Sequence, residues 1–311
     1  MSHWTTADMP DLKNKLAVVT GANSGLGFHT AFELARNGAQ VVLACRGREK
    51  AESAMNAIKA AVSGAQLEFM ALDLADLDSI AAFAKAFKAR HQKLDILHNN
   101  AGVMALPLMR TQQGFEMQIG TNHLGHFALT GLLLDVLLAA SAARVVGTAS
   151  LAHNWTRGMD FDDLNWERKR YKKWDAYGKS KLANLLFTYE LQRRLSKAGA
   201  RAISVAAHPG YAATNLQTAG PTLEKSALGW MFMRIGNALL AQSAEMGALP
   251  QLYAASMPDV RGGDYYGPDR MGGYRGYPKK VGSNQASRDE DSARRLWALS
   301  EKLTGVRYLS E

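Results

Sequence analysis

Over the first two thirds of the chain, short apolar runs rich in β-branched residues alternate with longer segments whose apolar positions recur at helical spacing. Leu16–Thr20 (LAVVT) predicts a buried strand, and residues 26–37 predict a helix that Gly38 stops. Gln40–Cys45 (QVVLAC) predicts a second strand, 49–62 an Ala-, Glu- and Lys-rich helix, and 67–72 a third strand. Residues 77–91 predict a helix capped by Asp76, and 94–98 a fourth strand. A helix over about 115–140, a strand at 144–149, a helix at 175–197 and a strand at 202–207 continue the alternation. Near the end, 261–282 predicts a late strand plus loop, and 287–303 an amphipathic helix.

Strands separated by crossover helices imply a parallel sheet covered on both faces. Right-handed crossovers make it doubly wound. No linker or repeat divides the chain, which predicts one α/β domain over 13–311 behind a start that frays up to about residue 12. Two long connections, 151–174 and 210–240, interrupt the alternation, and 151–174, 211–240 and 261–280 are the expected substrate-loop regions.

Composition narrows the class. The chain is 47% hydrophobic and 21% charged, which suits a globular protein with a large core. Cys45 is its one cysteine, so no intramolecular disulfide or cysteine-based metal cluster can form. The most apolar run, 131–140, is short and contains Asp135, so no membrane span is expected. The start lacks the apolar core of a signal peptide, and a cytoplasmic location is expected. The net charge of +9 admits nucleic-acid binding. However, the basic residues are spread out, and the densest cluster (Arg168, Lys169, Arg170, Lys172, Lys173) has no interleaved aromatics, so a surface that attracts an anionic cofactor is the preferred reading.

TGANSGLG runs from the last residue of the first strand into a helix. Gly21 permits the tight turn, Gly25 lets backbone approach a phosphate, and Gly27 lets the helix pack close to the sheet. Amides at the helix start then face an anion. Cys45-Arg46 stands where an acidic residue would read a ribose 2′-hydroxyl, and an arginine there accommodates a 2′-phosphate. This favours NADP over NAD, unless Arg46 is only a surface charge flanking a helix. Asp73 could accept from an adenine amino group, or Asp73 or Asp76 simply caps the next helix. Asn99-Asn100-Ala101-Gly102 follows the fourth strand, whose open end faces a ligand crevice.

Tyr177 and Lys181 in YGKSK lie one helical turn apart and share a face. An ammonium beside a phenol favours the phenolate and lowers its pKa from about 10, which suits a general acid and base. Ser150 ends the fifth strand and could donate to a substrate carbonyl oxygen, or merely cap a turn. Asn122 stands inside a predicted helix, where asparagine is a mediocre former. His123 and His126 lack the partners of a metal site and are expected to be packing or surface residues. Hydrolase chemistry fits poorly: no G-x-S-x-G elbow is present, and neither His153 nor His208 has a nucleophile motif beside it.

Taken together, TGANSGLG, NNAG, Asn122, Ser150, YGKSK and HPG at 208–210, in this order from about Lys15 to Asn215, resemble the short-chain dehydrogenase/reductase family. ACRGREKAE, the long segment after Ser150 and SKLANLLF resemble its retinol dehydrogenase and protochlorophyllide reductase-like branch. The resemblance implies a Rossmann-like fold and NADP(H)-dependent hydride transfer between a ketone or aldehyde and its alcohol. It implies that Tyr177 exchanges the proton, Lys181 holds the nicotinamide ribose, Ser150 orients the carbonyl and Asn122 anchors a water in a proton relay. The implied cofactor set is Gly21, Asn23, Ser24, Gly25, Leu26, Gly27, Arg46, Asp73, Leu74, Asn100, Ala101, Gly102, Tyr177, Lys181, Pro209, Gly210 and Thr214, with no metal. Aromatic and Met residues in the connections, among them Trp155, Trp230, Met231 and Phe232, suggest an apolar or bulky substrate, although they could equally fill core. The family also often pairs through helices near 115–140 and 175–197, although the long insertion here could equally block such pairing. A non-catalytic dinucleotide-binding regulator and a basic nucleic-acid-binding protein are the alternatives from other classes.

Overall fold

The computed structural model describes residues 3–212 and 241–309. Strands β1 (Leu16–Thr20), β2 (Gln40–Cys45), β3 (Leu67–Ala71), β4 (Ile96–Asn99), β5 (Arg144–Thr148), β6 (Ile203–Ala207), β7 (Tyr265–Arg270) and β8 (Arg275–Lys280) form one sheet. Its order is β3-β2-β1-β4-β5-β6-β7-β8. Every pairing is parallel except β7 with β8. The expected late strand is thus a hairpin, antiparallel at the sheet edge. The order reverses between β1 and β4, the switch point at which such sheets open a crevice beyond their strand ends.

Alternation along β1 builds both cores. Leu16 and Val18 join a cluster with Phe83, Phe87, Phe127 and Leu129, while Ala17 and Val19 join one with Leu34, Leu43 and Ile58. Helices α1 (Gly25–Arg36), α2 (Arg48–Ala61) and α3 (Leu77–Arg90) follow the expected periodicity. Asp76 caps α3 by accepting from the Asp78 amide at 3.0 Å. The long helix α7 (Lys173–Lys197) and the closing helix α9 (Glu290–Thr304) lie close to expectation.

Three expectations change. The helix over 115–140 is broken into α4 (Met117–Ile119), a π-helical turn (Gly120–Leu124), α5 (Gly125–Leu132) and α6 (Leu134–Leu138). A side chain at Gly125 would run into the Leu74 carbonyl, and one at Gly120 into Thr111. Helix α8 (Ala244–Ser256) has no clear sequence signal, because residues around its whole circumference are buried and Pro250 sits within it. The start expected to fray lies against the body: Trp4 Nε1 donates to Met257 Sδ at 3.2 Å, and Met9 and Leu12 are buried. Among the described residues, no helix is long and apolar enough to cross a membrane.

Candidate active site

The glycine-rich turn is a backbone cradle. Gly21 (φ +66°) and Gly25 (φ +54°) occupy the left-handed region that glycine adopts without strain. A Cβ on Gly27 would strike the Gly21 carbonyl and lie 2.6 Å from Asn100 Nδ2. Ser24 is exposed at the N-cap of α1, and its side chain makes no capping bond. Asn23 is half-buried, and Leu26 leans toward Gly247 of α8.

The loop after β4 is pinned under this turn. Thr20 Oγ1 accepts from the amides of Asn100 and Ala101, each at 2.9 Å, and Asn100 Nδ2 donates to the Thr20 carbonyl at 2.8 Å. Asn99 Nδ2 reaches Thr130 Oγ1 at 3.0 Å. Both asparagines therefore brace the loop.

Arg46 is exposed just past β2 and has no partner among the described residues. Arg48, by contrast, pairs with Glu52 at 3.1 Å and covers the Phe69 ring. Of the two arginines, Arg46 is the one free to meet a phosphate. Asp73 Oδ1 accepts from the Ala75 amide at 2.9 Å, a local turn rather than the helix cap, which falls to Asp76. Leu74 is buried, with its carbonyl against Gly125. A turn closed to side chains and a helix start beyond it fit a dinucleotide, with the uncommitted Arg46 just past the neighbouring strand.

Asn122, Ser150, Tyr177 and Lys181 come from the π-helical turn, the end of β5 and the first turns of α7. Gly178 makes this close packing possible: a Cβ there would lie 3.0 Å from the Ala152 carbonyl, in the 3-10 turn (Leu151–Trp155) that follows Ser150. Ser150 caps that turn, its hydroxyl accepting from the Ala152 amide at 3.2 Å, and it also interacts with the Tyr177 phenol. The capping role is thus present, and the hydroxyl also stands against the phenol.

Lys181 is buried and donates from Nζ to the Thr148 carbonyl at 3.0 Å. Its Nζ lies 5.8 Å from the centroid of the Tyr177 ring. Asn122 Oδ1 accepts from the Val103 amide at 2.8 Å, and its Nδ2 donates to the Val103 carbonyl and to Ser180 Oγ, both at 2.9 Å. Ser180 donates to the Tyr177 carbonyl at 2.8 Å. Gly102 lies between Asn122 and Lys181: a Cβ on it would be 2.9 Å from Asn122 Oδ1 and 3.7 Å from Lys181 Nζ.

The expected direction of the Tyr177 shift is reversed. Burial pushes its phenol up to about 12, with Ser150 opposing, and the same burial pulls Lys181 down to about 8. Removing the phenol from water penalises phenolate by more than the Ser150 hydrogen bond favours it.

Pro209 and Gly210 follow β6. The Pro209 carbonyl accepts from Gln242 Nε2 at 2.7 Å, and the Gly210 amide donates to His208 Nδ1 at 3.3 Å. Thr214, Trp230, Met231 and Phe232 lie outside the described residues. Trp155 and Trp174 are 58% and 42% exposed, and they meet edge to face at 5.8 Å. Trp174 in turn meets Tyr177 at 6.4 Å, so an aromatic rim adjoins the phenol. A cavity of about 440 Å³ opens beside Leu151, between His153, Asn154, His208, Tyr265 and Lys279. His123 and His126 are both buried rather than at the surface. His126 hydrogen-bonds the Asn122 carbonyl, a link that a search for metal spacing does not reveal.

A family model described as short chain dehydrogenase matches residues 15–160. Retinol dehydrogenase 13 of Homo sapiens is 42% identical over 299 residues, which cover 95% of this chain and 86% of that protein. A crystal structure of an uncharacterized protein from Mycobacterium paratuberculosis is 44% identical, with a TM-score of 0.81, covering 99% of this chain and 100% of the other. A short chain dehydrogenase from Shigella flexneri 2a str. 301, solved in complex with NADP, shares the fold at 22% identity and a TM-score of 0.63, covering 82% and 96% of the two chains. With the glycine cradle, the Tyr177–Lys181 pair and this likeness over nearly its whole length, the chain belongs to the short-chain dehydrogenase family of oxidoreductases, in its retinol dehydrogenase-like branch.

Proposed function

We propose that this protein interconverts a ketone or aldehyde and the corresponding alcohol, with NADP(H) as its cofactor. The observation that carries the reading is the convergence of Ser150, Tyr177 and Lys181 beside the loop pinned under the glycine turn. When bound, the dinucleotide supplies or accepts the hydride. The residues that would hold it are the turn from Gly21 to Gly27, Arg46 at the 2′-phosphate, the Asn100–Gly102 loop, Lys181, and Pro209 with Gly210.

The chain's own part is proton management and orientation. A phenol held at about 12 keeps its proton at neutral pH, so Tyr177 is ready to donate to the oxygen of a carbonyl being reduced. The Ser150 hydroxyl donates to the same oxygen and stabilises the negative charge that develops there. Lys181, lowered to about 8, is still mostly charged at pH 7 and favours the phenolate left behind. In the alcohol-oxidising direction these transfers run backwards. The aromatic rim of Trp155 and Trp174 supports an apolar or bulky substrate.

A panel of ketones and aldehydes, read by loss of NADPH or NADH absorbance, tests the reading. Carbonyl-dependent oxidation of NADPH is expected, with NADH used less well. Replacing Arg46 with Asp should weaken NADPH binding while leaving NADH binding nearly unchanged or improved. An equal loss for both would remove Arg46 as the phosphate ligand. No oxidation with any carbonyl would favour a non-catalytic dinucleotide-binding protein.

A further inference from the structure

His126 is 3% exposed and both its ring nitrogens are engaged. Nδ1 lies 3.1 Å from the carbonyl oxygen of Asn122. A carbonyl can only accept, so Nδ1 carries the proton. Nε2 of the neutral ring is then an acceptor for the Thr20 hydroxyl proton at 3.0 Å, a proton for which the His98 carbonyl at 3.2 Å competes. Burial keeps the ring neutral by lowering it to about 4, and the Lys181 charge adds to that effect.

The ring thus joins two parts of the site. On one side is Thr20 Oγ1, the acceptor for the Asn100 and Ala101 amides in the loop under the glycine turn. On the other is Asn122 in the π-helical turn, whose side chain continues through Ser180 to the Tyr177 backbone. A π-helical turn replaces the regular i→i+4 bonds with i→i+5 bonds, and the His126 ring adds a side-chain partner to a carbonyl within it. Packing alone would be met by leucine, which brings no buried polar atoms. A buried ring satisfied at both nitrogens instead specifies one geometry. The neighbouring His123 is a useful contrast. It is equally buried, but its Nε2 turns to Ser300 in α9 at 2.8 Å and its Nδ1 has no partner.

We propose that His126 is a positioning residue that locks the Asn122 carbonyl in register with the Thr20-anchored cofactor loop, so that cofactor seating and the proton-transfer residues are set together. The proposal rests on the oxidoreductase reading for its effect on turnover, but not for its effect on dinucleotide binding.

The test compares the full-length wild type with His126→Leu, His126→Asn and, as a control whose ring faces Ser300 of α9 instead of Thr20, His123→Leu. The His126→Leu variant should bind NADPH about 10-fold more weakly by calorimetry. Its kcat should fall by up to about 100-fold, with KM for the carbonyl little changed, as expected when reacting groups are misplaced rather than removed. His126→Asn puts an amide donor near the Nδ1 position and should recover most of the lost kcat. His123→Leu should change the melting temperature without changing kcat. Wild-type kcat and NADPH affinity in His126→Leu would overturn the proposal, as would a His126→Asn variant no better than His126→Leu.

Nitrogen-15 NMR of the wild type is a readout that does not depend on activity or on a variant folding. At neutral pH, His126 should show a protonated Nδ1 and a bare Nε2. The opposite tautomer would refute the arrangement. Should the wild type reduce no carbonyl, the proposed function fails, and NADPH affinity and the tautomer still decide the role of His126.

Discussion

Burial acts on Tyr177 and Lys181 with opposite sign, raising the phenol to about 12 and lowering the ammonium to about 8. The spacing of the pair is plain in YGKSK, since four residues make one helical turn. The direction of the Tyr177 shift is not, because it depends on how much water the fold removes, and that is set by residues far away in sequence. The lysine has a consequence for stability. Between about 8 and its ordinary value of 10.5, the unfolded chain holds a proton that the folded protein lacks. Stability from this group therefore rises with pH across that window, and below about 8 the buried charge is a standing cost. Lys181→Met should abolish turnover yet melt no lower than wild type at pH 7, and its melting temperature should rise less than that of wild type between pH 8 and 10. Loss of the lysine leaves the Thr148 carbonyl satisfied, because Asn184 Nδ2 also donates to it at 3.0 Å. A clear drop in melting temperature at pH 7 would show that the ammonium is held without penalty.

At the level of elements, what could be read from the sequence was what has a local cause. β1 and β2 form with the expected bounds, because buried β-branched runs between turn signals have few alternatives. The breaks in the 115–140 region were hidden because Gly120 and Gly125 answer to Thr111 and Leu74, which come from other parts of the chain. Helix α8 escaped notice for a related reason: enclosed on all sides, it has no polar face to create a period. The glycine turn has the close packing that its sequence predicts. Gly27 is held against Gly21 and Asn100 with no room for a methyl group. Gly27→Ala should destabilise the protein by about 1–3 kcal/mol, as overpacking does. It should also lose dinucleotide affinity, since the turn must open to admit the methyl. Urea unfolding and a cofactor titration check both, and an unchanged affinity would mean that the turn does not form the binding surface.

Across the whole molecule, the site is a meeting of segments spread from Thr20 to Gly210, and only the sheet order brings them together at one end of the central strands. Sequence motifs named these residues singly, whereas their coupling through Thr20, His126, Asn122 and Ser180 emerged only in three dimensions. The basic surface is partly committed to the fold, with Lys169 paired to Asp160 and Lys280 to Asp264 at 2.5 Å. This tempers the nucleic-acid alternative that the net charge of +9 first raises. The central claim is that this assembled site works through the Tyr177 hydroxyl. Its most direct test is the turnover of Tyr177→Phe, measured with NADPH and the best carbonyl of the panel. The account predicts NADPH affinity within about twofold of wild type and a turnover lower by at least about 100-fold, the scale of a lost general acid. Turnover equal to that of wild type, in a variant that binds NADPH normally, would contradict it.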